Sequence, residues 1–274
     1  MGKRILVAVI FVPILLVIML FLPPVVWTAV VALIAAVAAY ELLRATGEGK
    51  VTVPMQVVSI LSAAAIPFGC WLGLGSITIA VGTFVVAAVA FWCAIRAYDE
   101  GGAAIGFYHV MLAVFAGGLI PAALSALVKL KCMEHGKYLV LLAVILAFIT
   151  DGGAYFAGVF LGKHRGITKV SPNKSLEGYI GGFVTGVVFA LLYGLVISAI
   201  VHEPVNYLSL ALCGLLGALV TELGDLAFSF IKRQYGVKDY GNLLPGHGGM
   251  LDRFDSMIFC GPVVLFIVTL LPVF

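Results

Sequence analysis

Asp225, Asp252 and Asp255 are carboxylates set among apolar residues late in a chain of 274 residues. Glu222, Asp225, Ser229 and Lys232 follow one another at spacings of three, four and three, so on a helix they share one face. Asp252 and Asp255, three apart, share a face in the same way. Carboxylates on two neighbouring helices supply the oxygen ligands that a hard divalent cation such as Mg2+ prefers, and without a cation their mutual repulsion would be severe. Lys232, Arg233, Lys238, His247 and Arg253 lie close by in the sequence. Metal and basic side chains together are the equipment for holding phosphates.

Two other polar groups have the same flavour. Asp151 interrupts an apolar run, where an ionised carboxylate costs on the order of 3 kcal/mol unless it meets protein, water or a cation. With Glu177 and Glu222 it is a candidate additional metal ligand. The string SPNKSLEG, residues 171–178, opens on a Ser171-Pro172 turn and places Asn173, Lys174 and Ser175 just before a long helix. The free N–H groups of a helix start favour anions, and Lys174 adds a positive charge there. Ser175 and Glu177 are placed to cap that helix or to bind a cation. Between the late carboxylates, GHGG at 246–249 lets a ligand approach the backbone, so Gly248 and Gly249 can offer N–H donors and His247 can contact phosphate or base, or act as a general acid. GVFLGK at 158–163 is one residue short of a P-loop and lacks its Ser or Thr, so it is not one. Gly178, Gly182 and Gly186 recur every four residues, which marks helix packing rather than chemistry.

The elements that position these residues are membrane helices. The chain is 63% hydrophobic and 11% charged, with mean hydropathy +1.18. Its apolar runs are long enough to cross the ~30 Å hydrocarbon core of a bilayer as helices. Breaks at Pro, Gly and charge clusters predict an all-α polytopic fold of about nine spans: 4–22, 25–44, 52–73, 76–97, 105–128, 137–162, 175–201, 207–231 and 254–273. The basic, apolar N-terminus exceeds a signal-peptide core and reads as a retained first helix. With that terminus cytoplasmic, every Lys and Arg except Lys129, Lys131 and Lys137 falls inside, in agreement with the positive-inside rule. The three exceptions share the loop KLKCMEHGK, which is either a basic outer loop or the sign of a misplaced span upstream. All three polar clusters then lie at the cytoplasmic face.

A net charge of +3 gives no reason to expect a nucleic-acid partner. The five cysteines are dispersed and mostly inside apolar runs, where they act as small hydrophobes. Residues 1–135 carry little chemistry and read as a scaffold and homodimer surface; residues 136–274 read as the catalytic half.

Ser229, Lys232, Arg233, Lys238, Asp239, Gly241, Pro245, His247, Gly248, Gly249, Asp252, Arg253 and Asp255 stand in an order that closely resembles the signature of the CDP-diacylglycerol synthases, or phosphatidate cytidylyltransferases. SPNKSLEG resembles a second element of that family. The resemblance implies a multi-pass cell-membrane enzyme that makes CDP-diacylglycerol and pyrophosphate from CTP and phosphatidic acid. It implies Mg2+ and leaves room for a monovalent cation such as K+ to assist. On this reading Asp225, Asp252 and Asp255 hold metal. Lys174, Lys232, Arg233, Lys238 and Arg253 neutralise phosphates, and Ser171, Asn173, His247, Gly248 and Gly249 complete the substrate site. Asp239 orients a lysine or the nucleotide.

Two other readings remain open. CTP-dependent polyprenol or phytol kinases resemble this family around SPNKSLEG and would transfer the γ-phosphoryl group instead. An ion or solute transporter would use Asp151 and Asp225 as pathway residues, but it also calls for carboxylates near mid-membrane and for broken helices in duplicate.

Overall fold

The computed structural model describes residues 2–101, 105–243, 246 and 248–274, with side chains of the first helix described at residue 9 and from residue 11 onward. Among the described residues there are nine helices and no strand. In chain order they are α1 (Gly2–Phe21), α2 (Pro24–Thr46), α3 (Val53–Trp71), α4 (Gly75–Asp99), a rod made of α5 (Phe107–Val114), a π-turn (Phe115–Leu119) and α6 (Ile120–Cys132), then α7 (Gly136–Phe160), α8 (Leu176–Val201), α9 (Tyr207–Gln234) and α10 (Leu251–Leu270). Eight of the nine are long and apolar enough to cross a bilayer; in α1 the stretch Phe11–Phe21 is apolar but shorter. The fold is therefore the expected polytopic helical one, with boundaries a few residues from those read off the sequence.

The breaks have local causes. Pro23 takes an extended conformation (φ −64°, ψ 157°) and Pro24 occupies the first turn of α2, where its missing N–H costs nothing. Leu72–Leu74 joins α3 to α4 through Gly73, whose φ of +78° suits glycine. Of the basic stretch KLKCMEHGK, only Met133–His135 lie outside helix, between α6 and α7. Lys129 and Lys131 stand in the last turn of α6, where cations offset the carbonyl end of the helix, and buried Lys131 donates to the Met19 carbonyl. The helices on either side of it are continuous.

The chain forms two compact units, Met1–Cys132 with Gln234–Phe254, and Met133–Arg233 with Asp255–Phe274. In the first, α3 packs on α2, α4 and α6. Trp27 is fully buried on α2 and donates its ring N–H to the Leu127 carbonyl (3.1 Å). The π-turn uses two glycines at close quarters: a Cβ on Gly117 would meet the Ser59 Cα at 2.7 Å. Tyr235, in the segment after α9, stacks on Tyr108 with ring centroids 5.9 Å apart.

In the second unit the small-residue face of α8 is the organising surface. Gly178, Gly182, Gly186, Ala190 and Gly194 are all buried along it. A Cβ on Gly178 would lie 2.9 Å from the Ala154 carbonyl oxygen of α7, and one on Gly214 of α9 would lie 2.7 Å from the Val187 Cα of α8. Lipid solvates apolar side chains as well as protein does, so such backbone approach is what makes one helix prefer another. The five cysteines are free, as their dispersion implied. We expect Gly214→Val to lower the thermal unfolding midpoint in detergent, by an overpacking cost of about 1–3 kcal/mol. Gly152→Ala, whose Cβ meets nothing within 4 Å, should leave the midpoint unchanged or slightly raised; equal loss in both would refute the packing role.

Candidate active site

The segment from 161 to 175 is a loop pinned at its base. Glu177, in the first turn of α8, accepts backbone N–H bonds from Lys163 (3.1 Å) and His164 (3.2 Å) and contacts the His164 ring at 2.6 Å. Arg165 and Ser175 form an antiparallel bridge, and the Leu176 N–H donates to the His164 carbonyl (3.1 Å). Ser175 is the N-cap, its hydroxyl accepting from the Gly178 N–H at 3.1 Å. Arg233, itself exposed, reaches the Val170 carbonyl (3.4 Å). Ser175 thus caps α8, and Glu177 closes the loop.

This closure fixes Lys174. Its ammonium lies 2.6 Å from Asp225 and 2.7 Å from Glu222, both on α9, and 5.3 Å from the Tyr179 ring. Burial works against the charge on Lys174, but the Asp225 and Glu222 carboxylates outweigh it and raise the lysine pKa above its usual value. Lys174 is therefore a permanent cation. The two carboxylates differ in exposure: the Glu222 side chain is 3% exposed and the Asp225 side chain 31%. Asp225 is the more accessible of the two. Glu222 lies against α8, where a Cβ on Gly182 would sit 2.9 Å from its Oε1, so that glycine both packs the helix and leaves room for the carboxylate.

Other carboxylates of the same unit converge there. Gly224, next to Asp225, allows α10 to approach so closely that an added Cβ would lie 3.1 Å from the Asp255 carbonyl oxygen and 3.2 Å from the Ser256 Cα. Asp255 is buried, and its Oδ1 accepts the Ser256 N–H at 2.8 Å. The Ser256 hydroxyl donates to Asp151 of α7 (3.0 Å), which joins α10 to α7. The charges of Asp225, Asp255 and Glu222 all act on Asp151. The structure thus assembles Lys174, Asp151, Glu222, Asp225 and Asp255. Lys232 is half-buried in the last turn of α9, Ser171 is half-buried, and Asn173 is exposed.

The segment that begins α10 belongs to the first unit and is built around two buried carboxylates. Asp252 Oδ2 accepts N–H bonds from Tyr240 (2.8 Å) and Gly249 (2.9 Å). Gly248, at φ +86°, lets both Asp252 and Asp239 come close: its Cβ would lie 3.0 Å from Asp252 Oδ2 and 3.1 Å from Asp239 Oδ1. Lys238, Asp239 and Arg253 are exposed; His247 lies outside the described residues. The second carboxylate, Glu41 of α2, went unnoticed in the sequence. It is 4% exposed and accepts the N–H of Met250 (3.0 Å) and of Leu251 (2.8 Å). Its signal was the one that singled out Asp151, a carboxylate in an apolar helix.

The donor set suits Mg2+ in a limited sense. Among the described residues no three His, Cys, Asp or Glu side chains are arranged as a closed metal cage. Mg2+ seldom uses one; it is held by one or two carboxylates together with water and substrate phosphates. Partly exposed Asp225 and nearby Asp255 offer that. Glu222 keeps a buried oxygen, Oε1, without a hydrogen-bond partner, so the cluster has acceptor capacity beyond what Lys174 satisfies.

The model of the cytidylyltransferase family matches residues 2–271. A Bacillus subtilis protein named phosphatidate cytidylyltransferase is 43% identical over 137 residues, 50% of this chain and 49% of that protein. One of the same name from Staphylococcus haemolyticus is 41% identical over 131 residues, 48% of this chain and 49% of its own length. A Mycobacterium bovis protein, also so named, is 32% identical over 271 residues, 94% of this chain and 85% of its own. The match thus spans about half of the Bacillus and Staphylococcus proteins and most of the mycobacterial one. With the family model covering almost every residue, including all three polar clusters, the chain belongs to the cytidylyltransferase family.

Proposed function

We propose that this chain is a membrane-embedded nucleotidyltransferase that joins CTP and phosphatidic acid to give CDP-diacylglycerol and pyrophosphate, with its site at the cytoplasmic face. The observation that carries the reading is Lys174 held between Asp225 and Glu222, with Asp151 and Asp255 close by. A fixed cation and a surplus of carboxylates at the end of membrane helices suit a reaction between two polyanions, one of them a lipid. The names of the relatives point to the same substrates.

In the reaction a phosphate oxygen of phosphatidic acid attacks the α-phosphorus of CTP, and the bond from that phosphorus to the bridging oxygen of the β-phosphate breaks. The nucleophile is already largely anionic near neutral pH, since the second pKa of a phosphate monoester is about 6. No strong general base is needed. Catalysis is then a matter of aligning two anions and stabilising the charge that gathers on pyrophosphate. Asp225 and Asp255, with Asp252 of the same helix α10, are the residues assigned to Mg2+. The ion, when bound, neutralises phosphate charge and orients the displacement. Lys174 supplies a cation whose position its two carboxylate partners fix. Lys232, Arg233, Lys238 and Arg253 meet the remaining phosphate charge at the membrane surface.

Three outcomes follow. With CTP labelled separately at the α and γ positions, label should enter lipid from the α position only; entry from the γ position alone would establish a kinase. Asp225→Asn should lower kcat by about 100-fold or more in a chain that still folds, and near-normal turnover would remove Asp225 from the site. Asp252→Asn separates two roles, because the amide oxygen can still accept the Tyr240 and Gly249 N–H bonds while the charge is gone. Cytidylyl transfer should be lost with the thermal midpoint nearly unchanged. Retained transfer would make Asp252 a purely structural carboxylate.

A further inference from the structure

The start of α10 has an unusual anchor. The N–H groups of a helix's first turn have no partner within the helix, and a nearby side chain ordinarily caps them. Here the Leu251 N–H and the preceding Met250 N–H both go to Glu41, more than two hundred residues earlier (210 and 209 positions). Two glycines make room for that carboxylate. A Cβ on Gly249 would lie 2.5 Å from Glu41 Oε2, and one on Gly241 would also run into the Glu41 carboxylate. Glu41 therefore touches the segment at both ends, 241 and 249–251, while Asp252 ties together Tyr240 and Gly249.

We propose that Glu41 is a positioning residue: its carboxylate clasps Gly241 and residues 249–251 and sets the rotation and height of the start of α10, and with them Asp252. An anion at a helix N-terminus is favoured by the helix dipole. Filled by Glu41, that terminus is an anchor for the protein and not a seat for substrate phosphate. The claim rests on the function proposed above for Asp252, but the clasp itself has a readout that needs no catalysis. A side chain that holds a metal-binding carboxylate in place typically costs 10–100-fold in activity when removed.

The test uses the full chain in detergent, as wild type, Glu41→Gln, Glu41→Ala, Gly249→Ala and the double variant Glu41→Ala/Gly249→Ala. Amide hydrogen exchange at Met250 and Leu251 should rise about 10–100-fold in Glu41→Ala, as expected for loss of hydrogen bonds to a charged group, with α3 amides unaffected. Glu41→Gln, which keeps one acceptor oxygen, should lie between wild type and Glu41→Ala. Turnover should follow the same order, with kcat falling about 10–100-fold in Glu41→Ala and KM for both substrates nearly unchanged. Gly249→Ala should reproduce the loss, because its methyl displaces the carboxylate, and the double variant should be no worse than either single change. Unchanged exchange at Met250 and Leu251, exchange that rises equally throughout the chain, or additive losses in the double variant would each overturn the proposal. If wild type itself transfers no cytidylyl group, the functional reading fails, while the exchange data still decide the clasp.

Discussion

A charge in hydrocarbon has to be answered by another charge or by hydrogen bonds, and the second unit of this protein is organised around that requirement. Lys174 is brought back to the end of the bundle by a loop whose base is closed by Glu177 and Ser175. There it meets Asp225 and Glu222 at 2.6 Å and 2.7 Å. Removing one partner of such a group leaves the others without compensation. The glycine face of α8 serves the same end. Without Gly182 there would be no space for Glu222, and without Gly224 α10 could not bring Asp255 toward Asp225. Packing and electrostatics are thus one design: small residues let helix backbones meet so that a few carboxylates can converge.

The first unit solves a different problem with similar means. Among the described residues between Tyr235 and Met250 there is no helix, so their backbone N–H groups need other acceptors. Glu41 and Asp252 supply them, and Gly241, Gly248 and Gly249 supply the room. Gly248 and Gly249 of GHGG therefore have a structural reason beside any contact with substrate. The N–H of Gly249 is already given to Asp252.

Much of this was legible in the sequence because the signals were local. Apolar runs and Pro or Gly breaks located the helices, the four-residue glycine period located the packing face of α8, and the single carboxylate in FITDGG marked Asp151. The spacing of Glu222 and Asp225 put both on one face, though not that Lys174 would lie between them. What stayed hidden depends on partners far away in the chain. Glu41 sits in AAYELLRAT, where Arg44 three residues on is the local partner the spacing suggests, and only the fold shows that its partners are backbone N–H groups some two hundred residues later (209 and 210). Glu177 stood in the sequence as a cap or a cation ligand, and its hydrogen bonds to residues 163–164 appear only once the chain has folded back. Nor does any composition signal assign 234–254 to the unit of the early helices.

The central claim is that this carboxylate-rich site joins a nucleotide to a lipid phosphate with the help of a divalent cation. Pyrophosphate release from the purified chain tests it most directly. The account predicts release when CTP, phosphatidic acid and Mg2+ are all present, and essentially none when any one of them is omitted. Equal release without phosphatidic acid, or full release in chelator, would contradict it.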